Sequence, residues 1–254
     1  MKPDQPGEGD MATRLTELID VFVATKVSEG KSPKTTAWYR NMLERYITYI
    51  GPEATLGDLT VKNARAFTAH LMAQDARYTD HPISPRKEGG LSAYTVHGYV
   101  RSLKVFSAWL ADEGVLTNDP LSKLKRPKLP ETVIEVLTEE EISRILVTTK
   151  PTSFMSARLH TMFLVLLDTG IRATELLTLT MKNLDLPHSE MKVVGKGNKE
   201  RIVPFGPTTK KALLMWTVRY HKDSPLVFHG IEGEALTYTA LAHLLKRLGE
   251  KAGV

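Results

Sequence analysis

The sequence predicts a mainly α-helical protein of two domains, in which a helical first half precedes an α+β second half with a small antiparallel sheet. Apolar residues recur at three- and four-residue spacing along most of the chain, as on the buried face of a helix. Two short β-rich runs joined by a glycine-rich turn occur only in the second half. With 254 residues, 42% hydrophobic and 25% charged, the chain has the composition of a globular protein and the length for two cores.

Four helices are predicted within residues 11–117, each with one apolar face. The second begins with a capping serine and a proline, and the third and fourth also begin at a residue that can cap a helix. These capping residues are Ser32, Thr60 and Ser92. Residues 75–90 contain two prolines and two glycines, which predicts a loop between the third and fourth helices.

Two segments of the chain are predicted to lie outside the folded domains. Residues 1–10 are polar and contain two prolines, which predicts a disordered N-terminal tail. Residues 118–136 are predicted to be a basic interdomain linker, because three prolines break the helical pattern and four Lys or Arg residues follow one another closely. A solvated linker and one that lies along a phosphate backbone both fit this composition.

Residues 137–254 form the second predicted domain. Thr138 and Glu141 have the spacing of a capping box at the start of its first helix. A strongly apolar helix ends at Gly170, and a short helix follows it. The β-rich runs 191–194 and 201–204 flank a turn of sequence Gly-Lys-Gly-Asn-Lys-Glu, which predicts a hairpin, and two further helices are predicted over 208–220 and 237–251.

Charge and composition narrow the classes of function. The formal net charge is +5, and residues 11–130 alone hold 17 basic against 12 acidic residues. This excess suggests a polyanionic partner, although an ordinary slightly basic protein has the same balance. The absence of cysteine excludes disulfides, thiolate catalysis and cysteine-ligated zinc, and the longest apolar run is too short to cross a bilayer. We therefore expect a cytoplasmic protein with no membrane partner.

The first candidate for chemistry is Arg172, which follows Gly170 at the start of a short helix, with Glu175 three residues later. One interpretation is a surface Arg–Glu pair, which contributes little to stability. The other is an arginine held against the core that binds a phosphate through two hydrogen bonds.

The second candidate is Lys196, which stands between two glycines at the predicted tip of the hairpin. It is either a solvated lysine of a turn or a mobile ammonium group that gives a proton to a leaving oxygen. The eight histidines are scattered along the chain, so the sequence offers little support for a metal site.

Together these two motifs are more specific than either alone. Thr-Gly-Ile-Arg-x-x-Glu-Leu, followed by Gly-Lys-Gly-Asn-Lys-Glu-Arg-Ile-Val-Pro, resembles the tyrosine recombinase (phage integrase) family, close to its Xer-like integrases. The resemblance covers nearly the whole chain. It implies that the four-helix first half is a SAM-like core-binding domain and that residues from Leu137 onward form the integrase catalytic domain.

The resemblance implies a reaction and the residues that perform it. In this family a tyrosine attacks a DNA phosphodiester, forms a 3′ phosphotyrosine and releases a 5′ hydroxyl. No metal or other cofactor is needed, because the covalent intermediate retains the bond energy. Arg172 matches the first arginine that stabilises the nonbridging oxygens, Lys196 matches the lysine that protonates the leaving hydroxyl, and Glu175 matches a supporting acidic position.

The match stops before the family's active-site set is complete. The His-x-x-Arg motif, a later His or Trp and the nucleophilic Tyr should follow a helix like the one predicted over 237–251, and no residue here occupies those positions. His243 only vaguely resembles the missing motif, because it lies within that helix and no tyrosine follows it. We therefore expect a catalytic domain truncated at its C-terminus and a chain that is inactive alone.

The resemblance implies that the partner is double-stranded DNA with inverted-repeat core sites, clamped between the two domains. Self-association or a partner recombinase chain is also expected. Candidate DNA contacts lie on polar helix faces of the first domain and on the hairpin, and the alternative for each is a solvated surface residue. These candidates are Lys34, Arg40, Asn41, His97, Arg101, Lys104, Lys199 and Arg201.

Two other functions stay open at this point. One is a catalytically silent DNA-binding protein that occupies recombination sites. The other is a helical DNA-binding regulator whose likeness to integrases is only architectural. A regulator of that kind predicts no preference for inverted-repeat sites.

Overall fold

The computed structural model describes residues 11–77, 87–195 and 197–254. It divides into two compact units, Met1–Val133 and Ile134–Val254, which we call the first and the second unit. The predicted tail 1–10, the middle of the predicted loop 75–90 and Lys196 lie outside the described residues. Within the described residues, no helix has the length and apolar character needed to cross a bilayer.

Within residues 11–77 and 87–133, the first unit is a bundle of four helices, as the apolar spacing predicts. The helices are α1 (Leu15–Ser28), α2 (Pro33–Ile50), α3 (Val61–Ala73) and α4 (Ala93–Asp112), with one 3-10 turn at Leu56–Asp58. The side chains of Ser32, Thr60 and Ser92 each accept a hydrogen bond from the backbone N–H three residues later, so all three predicted caps are confirmed.

One part of the predicted loop 75–90 is regular. The strands β1 (Ala76–Arg77) and β2 (Lys87–Glu88) pair in antiparallel register, with Ala76 opposite Glu88. Two residues are too few to show an alternating pattern, so the sequence carries no signal for this pair.

An aromatic cluster forms the centre of the first unit. The ring of Phe22 packs edge-on against Tyr39, Phe106 and Trp109, with centroids 5.4, 5.4 and 5.3 Å away. This geometry favours the electrostatic attraction between a ring edge and a ring face. It joins α1, α2 and α4 around a single apolar centre.

The start of the predicted linker 118–136 packs against this same core. Leu121 and Leu124 are buried in it, and the ammonium group of Lys104 donates hydrogen bonds to the carbonyls of Leu121, Ser122 and Leu124 at 2.8, 2.8 and 2.9 Å. The first residues of that segment therefore belong to the first unit, because their apolar side chains and carbonyl groups are satisfied there.

In its described residues, 134–195 and 197–254, the second unit combines five helices with a three-stranded sheet. The helices are α5 (Glu139–Thr148), α6 (Phe154–Thr169), α7 (Ala173–Leu177), α8 (Pro207–Arg219) and α9 (Tyr238–Ala252), with a 3-10 turn at Met181–Asn183. The strands are β3 (Leu184–Asp185), β4 (Glu190–Val194) and β5 (Glu200–Pro204), antiparallel in the order β3-β4-β5. The predicted α+β fold and the predicted hairpin are confirmed. The sequence does not predict β3, which adds a third strand to the hairpin.

The segment between α8 and α9 has little regular structure but is anchored to the core. The indole N–H of Trp216 donates to the carbonyl of Val227 at 2.7 Å, and the Val227 N–H donates to the Leu179 carbonyl at 2.8 Å. Arg158, only 3% exposed on α6, donates to the carbonyl of His229 at 2.6 Å. These bonds hold the segment against α6, α8 and the residues that follow α7.

The last helix, α9, is amphipathic, with Leu241 and Leu248 buried. Its end is tied to α5, because the guanidinium of Arg144 donates to the carbonyl of Ala252 at 3.1 Å. An open apolar groove lies beside it, and Leu167, which is 44% exposed, lines this groove.

Candidate functional site

Arg172 lies at the junction between α6 and α7. Gly170 ends α6 in the left-handed conformation, with φ of 60°, and buried Ile171 fixes the next residue against the core. Arg172 is the N-cap residue of α7, and its side chain is 65% exposed. The chain therefore presents this guanidinium to solvent from a rigid turn.

Glu175 is the buried centre of the site, with a side chain only 1% exposed. Its Oε2 accepts a hydrogen bond from the Arg172 backbone N–H at 2.8 Å, and its Oε1 accepts one from Arg172 Nη1 at 3.0 Å. The guanidinium of Arg201 on β5 donates to both oxygens, at 2.7 Å to Oε1 and 2.8 Å to Oε2. A buried carboxylate with four donors is not a solvated surface pair, so that interpretation of the motif is wrong.

These donors set the charge of the site. Hydrogen bonds from Arg201, and then those from Arg172, lower the pKa of Glu175 to about 2, although burial acts in the opposite direction. The same contact raises the pKa of the Arg201 guanidinium. One carboxylate and two guanidinium groups leave the cluster with one net positive charge.

Arg201 reaches Glu175 because of its place in the sheet. It lies opposite Val193 in the β4–β5 register, and Val193 is 2% exposed, so both side chains lie on the face that packs against the helices. The sequence prediction assigned Arg201 to DNA contact. The structure shows that two of its three donor nitrogens bind Glu175, and its contact with DNA stays a prediction. The alternation of Arg201 with Val203 along β5 is the sequence signal for its inward position.

The turn of the hairpin begins beside the same carboxylate. The N–H of Gly195 donates to the carbonyl of Lys199 at 2.8 Å, and Gly197 and Asn198 have φ of 75° and 58°. A Cβ atom on Gly195 would lie 3.1 Å from Oε1 of Glu175, so a larger residue here would require the turn or the carboxylate to shift by a few tenths of an ångström. Lys196, the next residue, lies outside the described residues, and its predicted role stays a prediction.

Asp168 is a residue that the sequence interpretation missed. Its Oδ2 accepts a hydrogen bond from the N–H of Gly206, the N-cap residue of α8, at 2.8 Å. The end of α6 is thereby joined to the start of α8, next to the turn that carries Arg172. Its position immediately before the Thr-Gly-Ile-Arg motif is the only hint of this role in the sequence.

The candidate DNA contacts of the first unit differ in their availability. Lys34, Asn41 and Arg101 are exposed, and His97 is half-buried. Arg40 forms an ion pair with Asp20 at 2.6 Å, so part of its charge is already balanced. The three N–H donors of Lys104 are all used by backbone carbonyls, which leaves none for a phosphate in this conformation.

The second unit offers two further candidates, Lys199 and the Arg172 guanidinium. Lys199 is exposed on the hairpin. Within the described residues, Nε and Nη2 of Arg172 have no hydrogen-bond acceptor, so one edge of its planar group is open for an anion. The same part of the chain contains no group of three or more His, Asp or Glu residues arranged to hold a metal ion.

Comparison with known proteins shows which proteins this chain is similar to. Residues 135–254 match the phage integrase family. The tyrosine recombinase XerD of Listeria innocua is 27% identical over 250 residues, which cover 94% of this chain and 80% of that protein. The tyrosine recombinase XerC of Oceanobacillus iheyensis is 27% identical over 252 residues, covering 95% and 78%.

Solved structures share the fold at low sequence identity. A lambda integrase tetramer bound to a Holliday junction has a TM-score of 0.73 at 17% identity, over 96% of this chain and 68% of that one. The Tn1549 transposon integrase in complex with a circular intermediate DNA has a TM-score of 0.69 at 17% identity, over 93% and 78%. The second unit thus matches the phage integrase family over residues 135–254, and the solved integrases show that the chain shares their fold.

Proposed function

We propose that this chain binds duplex DNA at sites of site-specific recombination, with Arg172 as its phosphate-binding residue in the second unit. The observation that carries the proposal is the buried Glu175 between two arginines, which positions Arg172 and leaves one edge of its guanidinium exposed. A planar group with two parallel donors suits the oxygens of a phosphate.

The family's chemistry assigns roles to the residues that match its motifs. In the proposal, Arg172 stabilises negative charge on the nonbridging oxygens, Lys196 protonates the leaving 5′ hydroxyl and Glu175 supports Arg172. The first unit acts as the core-binding domain, and Lys34, Asn41 and Arg101 contact the duplex. Inverted-repeat core sites and self-association on such repeats are part of the same proposal.

We further propose that the polypeptide of residues 1–254 does not by itself cleave or rejoin DNA. The last tyrosine in this sequence is Tyr238, at the start of α9, and no His-x-x-Arg motif follows that helix. A positioned nucleophile contributes about 7–11 kcal/mol to such a reaction through proximity alone, which Arg172 and Lys196 cannot replace.

Binding is tested with duplexes selected from a random-sequence pool by repeated mobility-shift separation on the purified polypeptide. Selected sequences should contain inverted repeats, and affinity should fall steeply with salt because basic residues displace counterions from phosphates. Arg172→Ala and Arg101→Ala should each reduce the slope of log affinity against log salt by about 1. Selected sequences without inverted repeats would favour the helical regulator over the recombinase.

Cleavage is tested with a nicked suicide substrate built from the selected site. We expect no protein–DNA adduct that survives denaturation, because no tyrosine occupies the nucleophile's position. A denaturation-resistant adduct formed by residues 1–254 would contradict the proposed inactivity. Binding without an adduct fits both an incomplete recombinase and a silent protein that occupies recombination sites.

A further inference from the structure

Arg201 has a contact that the family motifs do not explain. Its guanidinium forms a two-bond ion pair with Glu175, 26 residues earlier in the chain, and its side chain is still 41% exposed. Glu175 in turn holds Arg172 by a backbone and a side-chain hydrogen bond. Arg172 and Arg201 therefore share one carboxylate.

The charges in this cluster depend on Arg201. Without it, one buried carboxylate would stand against one guanidinium, and Glu175 would neutralise the charge with which Arg172 attracts a phosphate. With Arg201 present, the carboxylate divides its hydrogen bonds between two cations and the cluster keeps one positive charge. A carboxylate satisfied on one side by Arg201 also has fewer lone pairs with which to hold the remaining donors of Arg172.

We propose that Arg201 is a positioning residue for Arg172, which acts through Glu175 and keeps the exposed edge of Arg172 cationic and open for a DNA phosphate. The inference rests on the proposed function, in which Arg172 binds that phosphate. It replaces the direct DNA contact expected of Arg201 from the sequence, because Nη1 and Nη2 of Arg201 are both engaged by Glu175.

A rescue experiment separates the indirect role from a direct contact. The full 254-residue chain is prepared as Arg201→Met, Glu175→Gln and the double variant, and its affinity for the selected duplex is measured over a range of salt. Arg201→Met should weaken binding by about 10-fold, the size of one charge-assisted hydrogen bond to a phosphate, and lower the salt slope by about 1. Adding Glu175→Gln should restore affinity to within about twofold of the wild type, because the double variant regains one net positive charge.

Glu200 provides the matched control for loss of an acidic group. It is adjacent to Arg201, 55% exposed, and paired with Lys192 at 2.6 Å rather than with either arginine of the site. Combining Glu200→Gln with Arg201→Met removes one negative charge close to Arg201, as Glu175→Gln does. It leaves Glu175 itself unchanged. This combination should leave binding as weak as Arg201→Met alone.

The outcomes are distinct. If the double variant with Glu175→Gln binds about 10-fold more weakly than Glu175→Gln alone, Arg201 contacts DNA directly and the inference is wrong. Equal rescue by Glu200→Gln would also overturn it. If Arg201→Met does not fold, the comparison of the Arg201→Met, Glu175→Gln double variant with Glu175→Gln alone still tests the inference, because neither protein contains a buried carboxylate at position 175. A wild-type chain that binds no duplex refutes the proposed function, and the inference with it.

Discussion

Glu175→Gln should change the stability of the second unit in a way that depends on pH. A glutamine at this position is a permanent substitute for the protonated carboxyl group. Because Arg201 and Arg172 lower the pKa of Glu175 from 4.5 to about 2, the ionised carboxylate stabilises the folded state. The wild type should therefore exceed the variant by about 3 kcal/mol in the free energy of unfolding at pH 7.

The sign of the pH effect follows from the lowered pKa. The stabilisation is complete above the ordinary pKa of 4.5 and is lost as the pH falls towards about 2. The difference between wild type and variant should shrink to roughly 2 kcal/mol at pH 3.5. A surface pair such as Glu250 with Lys246, 3.7 Å apart, provides the control, and Glu250→Gln should cost about 0.5 kcal/mol or less at both pH values.

Urea unfolding monitored by the fluorescence of Trp216 provides the measurement, since this residue is buried in the second unit. The other two tryptophans, Trp38 and Trp109, belong to the first unit and are replaced by phenylalanine in every protein compared. The midpoint and slope then give the free energy of unfolding of the second unit. A cost of Glu175→Gln that is equal at pH 7 and pH 3.5, or that is absent at pH 7, would refute the reasoning.

Three further substitutions test single contacts. Lys104→Met removes the donor for three carbonyls of the first unit, so its unfolding free energy should fall by about 2 kcal/mol in urea, with no change in the salt slope of DNA binding. Asp168→Ala unpairs the N–H of Gly206 at the start of α8 and should lower the unfolding free energy of the second unit by about 1 kcal/mol. An unchanged melting temperature would contradict this prediction. Gly195→Ala places a Cβ atom 3.1 Å from Glu175, and thermal melting should show a loss of about 1 kcal/mol or more; a neutral effect would mean that the turn can move away.

The parts of the fold that the sequence predicts correctly are those with local causes. Ser32 before a proline, and Thr138 three residues before Glu141, mark helix starts because a cap involves only neighbouring residues. The hairpin follows from a glycine-rich turn between two β-rich runs. Contacts that depend on how the hairpin meets the helices, such as Arg201 with Glu175, have no local signature.

Only part of the candidate site can therefore be predicted from the sequence. Arg172 and Glu175 emerge from the sequence as a pair, but their burial, and with it the choice between a surface pair and a structural cluster, depends on the tertiary fold. The linker shows the same limit, because Leu121 and Leu124 have helical spacing but stand among lysines and prolines that dominate the pattern. Leu121 and Leu124 are the residues in this charged segment that indicate packing against the first unit.

The irregular segment between α8 and α9 has a consequence for how the sequence can vary. A surface loop ordinarily accepts insertions and deletions at little cost. Here the Val227 carbonyl, the Val227 N–H and the His229 carbonyl are fixed by Trp216, Leu179 and Arg158. An added residue in this segment would shift at least one of these groups from its partner and displace the start of α9. Length changes between Val227 and His229 should thus be as damaging as substitutions in the core.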